Sequence, residues 1–240
     1  QAAPAQEPRI KPEDLEPIAR IGIQRVLSRV PEVPVTVGEV KLLPDQGRME
    51  LHGVSVANPE GFESPTAIAA ENVIVEGNTE SFFTKSPEIR LIQATGARVN
   101  AETRLPQGNN LQKLLGNARE MRQGVLQEYM QKRWRIQKAV LEDAEVTVGT
   151  QLLSQQPQQR KLESLEMDFM GPNGEGMPAQ EAMTKFLTRL IQEMDLVSTV
   201  VPPGAQGIVN EVLPGLGGLG SEPKQGERRR PGARLRELLD

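Results

Sequence analysis

The sequence predicts an α+β fold: a curved, mostly antiparallel β-sheet with an N-terminal helix and two flanking amphipathic helices, set between extended N- and C-terminal arms. Three observations carry that prediction. Runs of β-branched and aliphatic residues recur with turn chemistry at their ends, three segments hold apolar residues at helical spacing, and both ends of the 240-residue chain are rich in Pro or Gly. The chain divides accordingly into an arm over 1–12, an α+β domain over 13–201 and a Pro/Gly-rich tail over 202–240.

Pro4, Pro8 and Pro12 deny the arm a helix or a ladder. From Glu13, the spacing of Leu15, Ile18, Ala19, Ile23, Val26, Leu27 and Val30 draws an apolar stripe along a helix that also carries Arg20, Arg25 and Arg29; Pro31 and Pro34 stop it. Packing on the chain's own sheet is favoured over a membrane-surface anchor, because Glu13, Asp14 and Glu16 dilute the positive face. Strands follow over 35–43, 49–57, 67–76 and 88–101. Pro44-Asp45-Gln46-Gly47 closes the first hairpin, and Asn58-Pro59-Glu60-Gly61 separates the second strand from the third. Apolar parity slips across Gly38, from Val35 and Val37 to Val40 and Leu42, and across Gly53, from Met49 and Leu51 to Val54 and Val56. Such slips mark bulges that re-aim side chains, so the sheet is expected to bend there.

Residues 109–133 read as a helix with Leu111, Leu114, Leu115, Ala118 and Met121 near one face. Lys113, Arg119, Arg122, Lys132, Arg133, Arg135 and Lys138 outnumber Glu120 and Glu128, leaving a local +5. A solvated helix face is favoured over a nucleic-acid patch, since neither an aromatic nor a Gly-rich binding element accompanies the charge. Segments 134–140 and 144–148 read as strands with Glu142 and Asp143 in a turn between them, and Leu165, Met167 and Phe169 alternate in a further strand. A turn at 171–176 leads to a helix from Pro178 to Val201, striped by Phe186, Leu187, Leu190, Ile191 and Met194, which is expected to cover the sheet. In the tail, Leu235, Leu238 and Leu239 form a candidate partner-docking segment on a flexible linker.

Composition removes much of enzymology. The chain has no Cys and one His, which excludes thiolate catalysis, cysteine-ligated zinc and histidine-rich metal sites. Five Phe, Tyr129 and Trp134 are too few for base-stacking platforms, and a net charge of −4 draws in neither nucleic acid nor an anionic membrane. Gly215-x-Gly217-x-x-Gly220 matches the dinucleotide fingerprint in letters only, because Pro214 precedes it and Ser221-Glu222-Pro223 follows where a strand and a helix start are required. His52 reads as an outward polar residue of a strand, with no nucleophile elbow to serve. No catalytic, cofactor-binding or metal-binding residue is assigned, and a non-enzymatic module without a cofactor is expected. The small, Pro-rich tract Gln1 to Pro8 reads as the start of a mature exported protein whose signal peptide was removed before Gln1.

The ordered motifs resemble those of AsmA-like bacterial envelope proteins. The most specific piece is Gly53-Val54-Ser55-Val56-Ala57-Asn58-Pro59-Glu60-Gly61-Phe62, similar to that family's strand ending in N-P-x-G-F. Ile89 to Glu102, then Asn109-Asn110-Leu111, then Trp134 to Val146 and Gly171 to Glu181 agree in order, with Met177 standing where Ser or Thr is usual. The resemblance implies a periplasmic, membrane-proximal protein with a curved sheet, active in outer-membrane biogenesis or lipid handling through an apolar trough. Its partners would be other envelope proteins, copies of itself or a lipid, and not nucleic acid. Val54, Val56, Ile74, Leu91 and Val99 are the candidate apolar concave face. Six to eight strands at about 4.8 Å would make that trough roughly 30–40 Å long, enough for one acyl chain. The alternative is a scaffold subunit in which the helix from Pro178 covers this face and the terminal arms clasp neighbours.

Overall fold

The computed structural model describes residues 11–78, 81, 84–120, 132–150 and 157–194, all within one compact unit, Gln1–Leu196. Residues 1–10 of the arm, the tail with Leu235, Leu238 and Leu239, and segments 121–131, 151–156 and 195–201 lie outside the described residues. Pro12, expected to keep the arm from helix, is instead the first residue of α1, where its missing N–H has no helical partner to lose. In chain order the elements are α1 (Pro12–Leu27), β1 (Val35–Thr36), β2 (Glu39–Leu43), β3 (Arg48–Ala57), β4 (Thr66–Gly77), β5 (Glu88–Thr95), β6 (Arg98–Arg104), β7 (Gly108–Asn109), α2 (Asn110–Glu120), β8 (Arg135–Thr150), β9 (Gln158–Phe169) and α3 (Ala179–Glu193). The strands form one nine-stranded sheet. β5 and β6 lie end to end between β4 and β8, so the lateral order is β1 and β2, then β3, β4, β5 with β6, β8 and finally β9, while the two-residue β7 pairs with the last residues of β6. Only the pairings of β8 with β5 and β6 are parallel, which makes this the mostly antiparallel α+β sheet that the alternation predicts.

Every strand shifts its pleat along one transverse line. On one side of the line, Val40, Leu51, Val73, Ala94, Leu141 and Leu165 stand opposite one another in succession. On the other side, Val37, Val54, Ala70, Ala97, Ala144 and Leu162 carry the same apolar face, each three residues away along its strand. Two residues per strand fill the interval, so alternation breaks in all strands at once and the hydrogen-bond register survives. Gly53 (φ 63°), Gly96 (φ 62°) and Asp143 (φ 49°) take left-handed backbone there. A Cβ on Gly96 would sit 2.7 Å from the side chain of Glu71, so geometry and space both demand glycine. Glu142 and Asp143 therefore do not form a turn. β8 runs through them for 16 residues, because Asp tolerates a single left-handed residue that a strand can absorb as a bulge.

The apolar face is buried along its length. Val35, Val37, Val40, Leu51, Val75, Ile89, Ala97, Val99, Ile136, Ala144, Val146 and Phe169 are all inside. Ala19 and Ile23 of α1 pack over Val37, Val40 and Leu51. Ala182 and Phe186 of α3 pack over Ile89, Ile136 and Phe169, beside Met177. α2 buries Leu111, Leu114, Leu115 and Ala118, and α3 buries Leu187, Leu190 and Ile191, the stripes that their spacing predicts. The apolar stripe of α1 divides: Leu15 and Ile18 stay exposed, Ile18 at 68%, and Ile21, outside the stripe, is exposed with them.

Candidate functional site

The five residues expected to line one apolar surface lie on two opposite faces. Val54 and Val56 belong to the helix-covered side, and Val99 beneath it is 0% exposed. Ile74 stands opposite Glu50 and Gln93, and Leu91 opposite Glu76 and Lys138, which puts both on the polar side. Two irregularities cause the discrepancy. In β4 the pleat shift falls on Glu71 and Asn72, where no glycine announces it, and a second shift between Glu76 and Gly77 displaces Leu91 relative to Ile89. The expected open trough is thus neither continuous nor open.

The face that none of the described helices covers carries a lattice of polar and charged side chains. Arg48 holds Glu50 at 2.8 Å and Glu76 at 3.7 Å, and Arg90 holds Glu76 at 2.8 Å. Lys138 pairs with Glu166 at 2.7 Å, and Gln93 donates to Glu142 at 2.9 Å. His52 lies here as expected, its Nδ1 2.6 Å from Asn72 Oδ1 and its Nε2 3.6 Å from Glu50. These ion pairs lie at the surface, where such pairs contribute about 0–1 kcal/mol. At one end, a cavity of about 210 Å³ is lined by Gln46, Asn78, Glu88, Arg90 and Gln137. Among the described residues, no three His, Asp or Glu groups converge as a metal site would require. Asp168 is the residue whose carboxyl is held below the usual carboxylate range. The Met170 N–H that it accepts is the largest cause, and the Lys185 ammonium at 3.3 Å is the second.

Three of the motifs that suggested a family meet at a single point. Asn110, 0% exposed, donates from Nδ2 to Asn58 Oδ1 at 2.6 Å and to the Asn100 carbonyl at 2.7 Å. Its Oδ1 accepts the Glu102 N–H at 2.9 Å. Asn58 in turn donates to the Ser64 carbonyl, and the Glu102 carboxylate accepts the N–H groups of Glu63 and Ser64. Asn109 Oδ1 accepts from Leu111 and Gln112, capping α2. Gly61 (φ 97°) completes the loop in a conformation suited to glycine. The arrangement ties the 58–65 loop to β6 and to the start of α2. Every polar atom named in it is engaged within the chain, so its chemistry is that of a structural junction.

Sequence reasoning missed the device at the sheet's first edge. Glu16, Arg20 and Gln24 of α1 and Ser28 at its C-terminal cap, at four-residue spacing, hydrogen-bond backbone groups along the 35–42 edge segment that holds β1 and β2. Ser28 Oγ accepts the Val35 N–H at 2.8 Å, and Gln24 Oε1 accepts the Val37 N–H at 3.2 Å. Arg20 donates to the Gly38 carbonyl at 3.0 Å, and Glu16 Oε1 accepts the Leu42 N–H at 3.0 Å. Four helical residues rise about 6 Å and two strand residues about 6.6 Å, so a four-residue repeat on the helix keeps pace with the extended chain beside it. The polar repeat Glu16, Arg20, Gln24, Ser28 was the available signal, hidden beside the apolar stripe. Compared with protein-family models and with curated proteins, the chain returns no match.

Proposed function

We propose that the chain is a non-catalytic structural module of the bacterial envelope, working as a scaffold that joins chains rather than as a trough for lipid. The observation that carries this reading is the burial of the sheet's apolar face beneath α1, α2 and α3, from Val35 at one edge to Phe169 at the other. A lipid-holding trough needs apolar surface that water can reach, and this side already spends that surface on its own helices. The opposite face sets Ile74 and Leu91 among the ion pairs of Arg48, Glu76, Arg90 and Lys138, so it offers an acyl chain no continuous apolar floor. The resemblance to AsmA-like proteins supports a periplasmic setting, and the exposed Leu15, Ile18 and Ile21 of α1 support a position near an apolar surface. Native mass spectrometry of gently purified protein tests the choice: the expected result is the bare polypeptide mass, and a stoichiometric lipid adduct would restore the trough.

A further inference from the structure

The two edges of this sheet are treated oppositely. The β1 and β2 edge is closed by Glu16, Arg20, Gln24 and Ser28. β9, the other edge, pairs with β8 on its inner side, and among the described residues no strand lies beyond it. Its free groups can be located. The Glu145 N–H donates to the Ala97 carbonyl, away from β9, and Lys161 is the residue opposite Glu145. That pair is therefore of the non-hydrogen-bonded kind, and the Lys161 backbone groups point outward. A cleft of about 430 Å³ beside β9 is lined by Glu166 and Asp168 of the strand and by Lys185 and Arg189 of α3, and Lys185 bridges it to Asp168 at 3.3 Å.

We propose that this edge is a dimerisation surface, and that its occupant is β9 of a second copy running antiparallel. The argument is self-complementarity. Charges guard most free edges, but here they are ordered, with Arg160 and Lys161 first, then Glu163, Glu166 and Asp168. An antiparallel pairing centred between Glu163 and Ser164 sets Lys161 against the partner's Glu166, and Gln159 against the partner's Asp168. It also sets Leu162 against the partner's Leu165 on the helix-covered side, where each already has apolar neighbours. The same centring lays crease on crease, so the line of displaced pleats continues into the second sheet. Glu166 keeps Lys138 on its own chain and gains Lys161 of the other. Because the opposite edge is sealed, pairing closes after two copies and no filament follows.

The inference deepens the scaffold reading and rests on it, and the tests separate the two. The full chain has no native Cys, so Lys161→Cys and Glu166→Cys introduce sole thiols. Five residue steps along the strand set these positions about 16 Å apart, too far to bridge within one chain or between like positions of the paired copies. Mixed and mildly oxidised, the two variants are expected to give a disulfide-linked heterodimer on a non-reducing gel, while neither does so alone. In analytical ultracentrifugation the full chain is expected to sediment as a dimer without larger species. Lys161→Pro, which removes an outward N–H and spares the β8 ladder, is expected to give a monomer. Loss of the mixed cross-link, cross-linking by either variant alone, or a monomeric full chain whose own segment 195–240 occupies the edge would overturn the pairing. A lipid-free monomer overturns the pairing alone; a lipid-laden one overturns the scaffold reading as well.

Discussion

At the residue scale, the buried Asn110 side chain ties three parts of the fold together. It satisfies a loop, a strand and a helix start at once, from a position without solvent. Asn110→Leu keeps the branched four-atom outline of the side chain, in a slightly larger volume, and strands Asn58 Oδ1, the Asn100 carbonyl and the Glu102 N–H. Orphaned buried groups cost about 1–3 kcal/mol each, partly relieved by relaxation, so a loss of about 2–4 kcal/mol is expected in urea unfolding. A change below 1 kcal/mol would show that the junction is dispensable. Asp168 gives a milder, pH-dependent case. Its carboxyl titrates below the unfolded value, so the stability it confers is present above that value and is lost as pH falls through the folded pKa. Lys185→Met removes the second cause and leaves the Met170 N–H, so the NMR titration of Asp168 is expected to move only part of the way up. An unmoved midpoint would assign the whole depression to the backbone.

At the scale of elements, α1 behaves as a surrogate strand. Gln24→Ala is expected to speed hydrogen exchange at Val37 selectively, and Ser28→Ala at Val35, with amides of β4 and β8 unchanged. Uniform acceleration across the sheet would mean that the helix acts through global stability instead. What was legible at this scale depended on whether a residue type was unambiguous. Gly38 and Gly53 betrayed the pleat shift in the first strands because only a missing Cβ explains glycine amid aliphatics. Glu71, Asn72 and Ser164 occupy the same line and look like ordinary surface residues, since their backbone is supported by neighbours rather than by their own chemistry. Asp143 was misread for the related reason that Asp tolerates both a turn and a left-handed strand position. The residues later found at the junction were legible as motifs, yet their meeting was not, because Asn58 and Asn110 are 52 positions apart.

For the whole molecule, the layer order followed from helical stripes and strand alternation, while the fate of each face did not. Alternation shows that a strand has an apolar side; it cannot show whether helices or solvent meet it, and Val99 proved covered where an open surface was expected. Edge accessibility was equally silent, because hydrogen bonds from α1 to β1 and β2 depend on a docking that only the assembled fold supplies. The division into a sealed and an open edge makes growth of the sheet one-sided. Salt is expected to weaken the dimer only slightly: the Lys161 and Glu166 pairs sit at the surface, where ions screen them, whereas backbone bonds persist.

The shared pleat shift also governs how this chain could change length over time. A strand that lost a single residue at the line would turn its far half over, presenting apolar side chains to water and charges to the helices. Repair would need the same loss in each neighbour. Insertions and deletions are thus barred from the middle of the strands and steered to the connections, and distant kin should be sought by an apolar three-residue step recurring at the centre of successive strands.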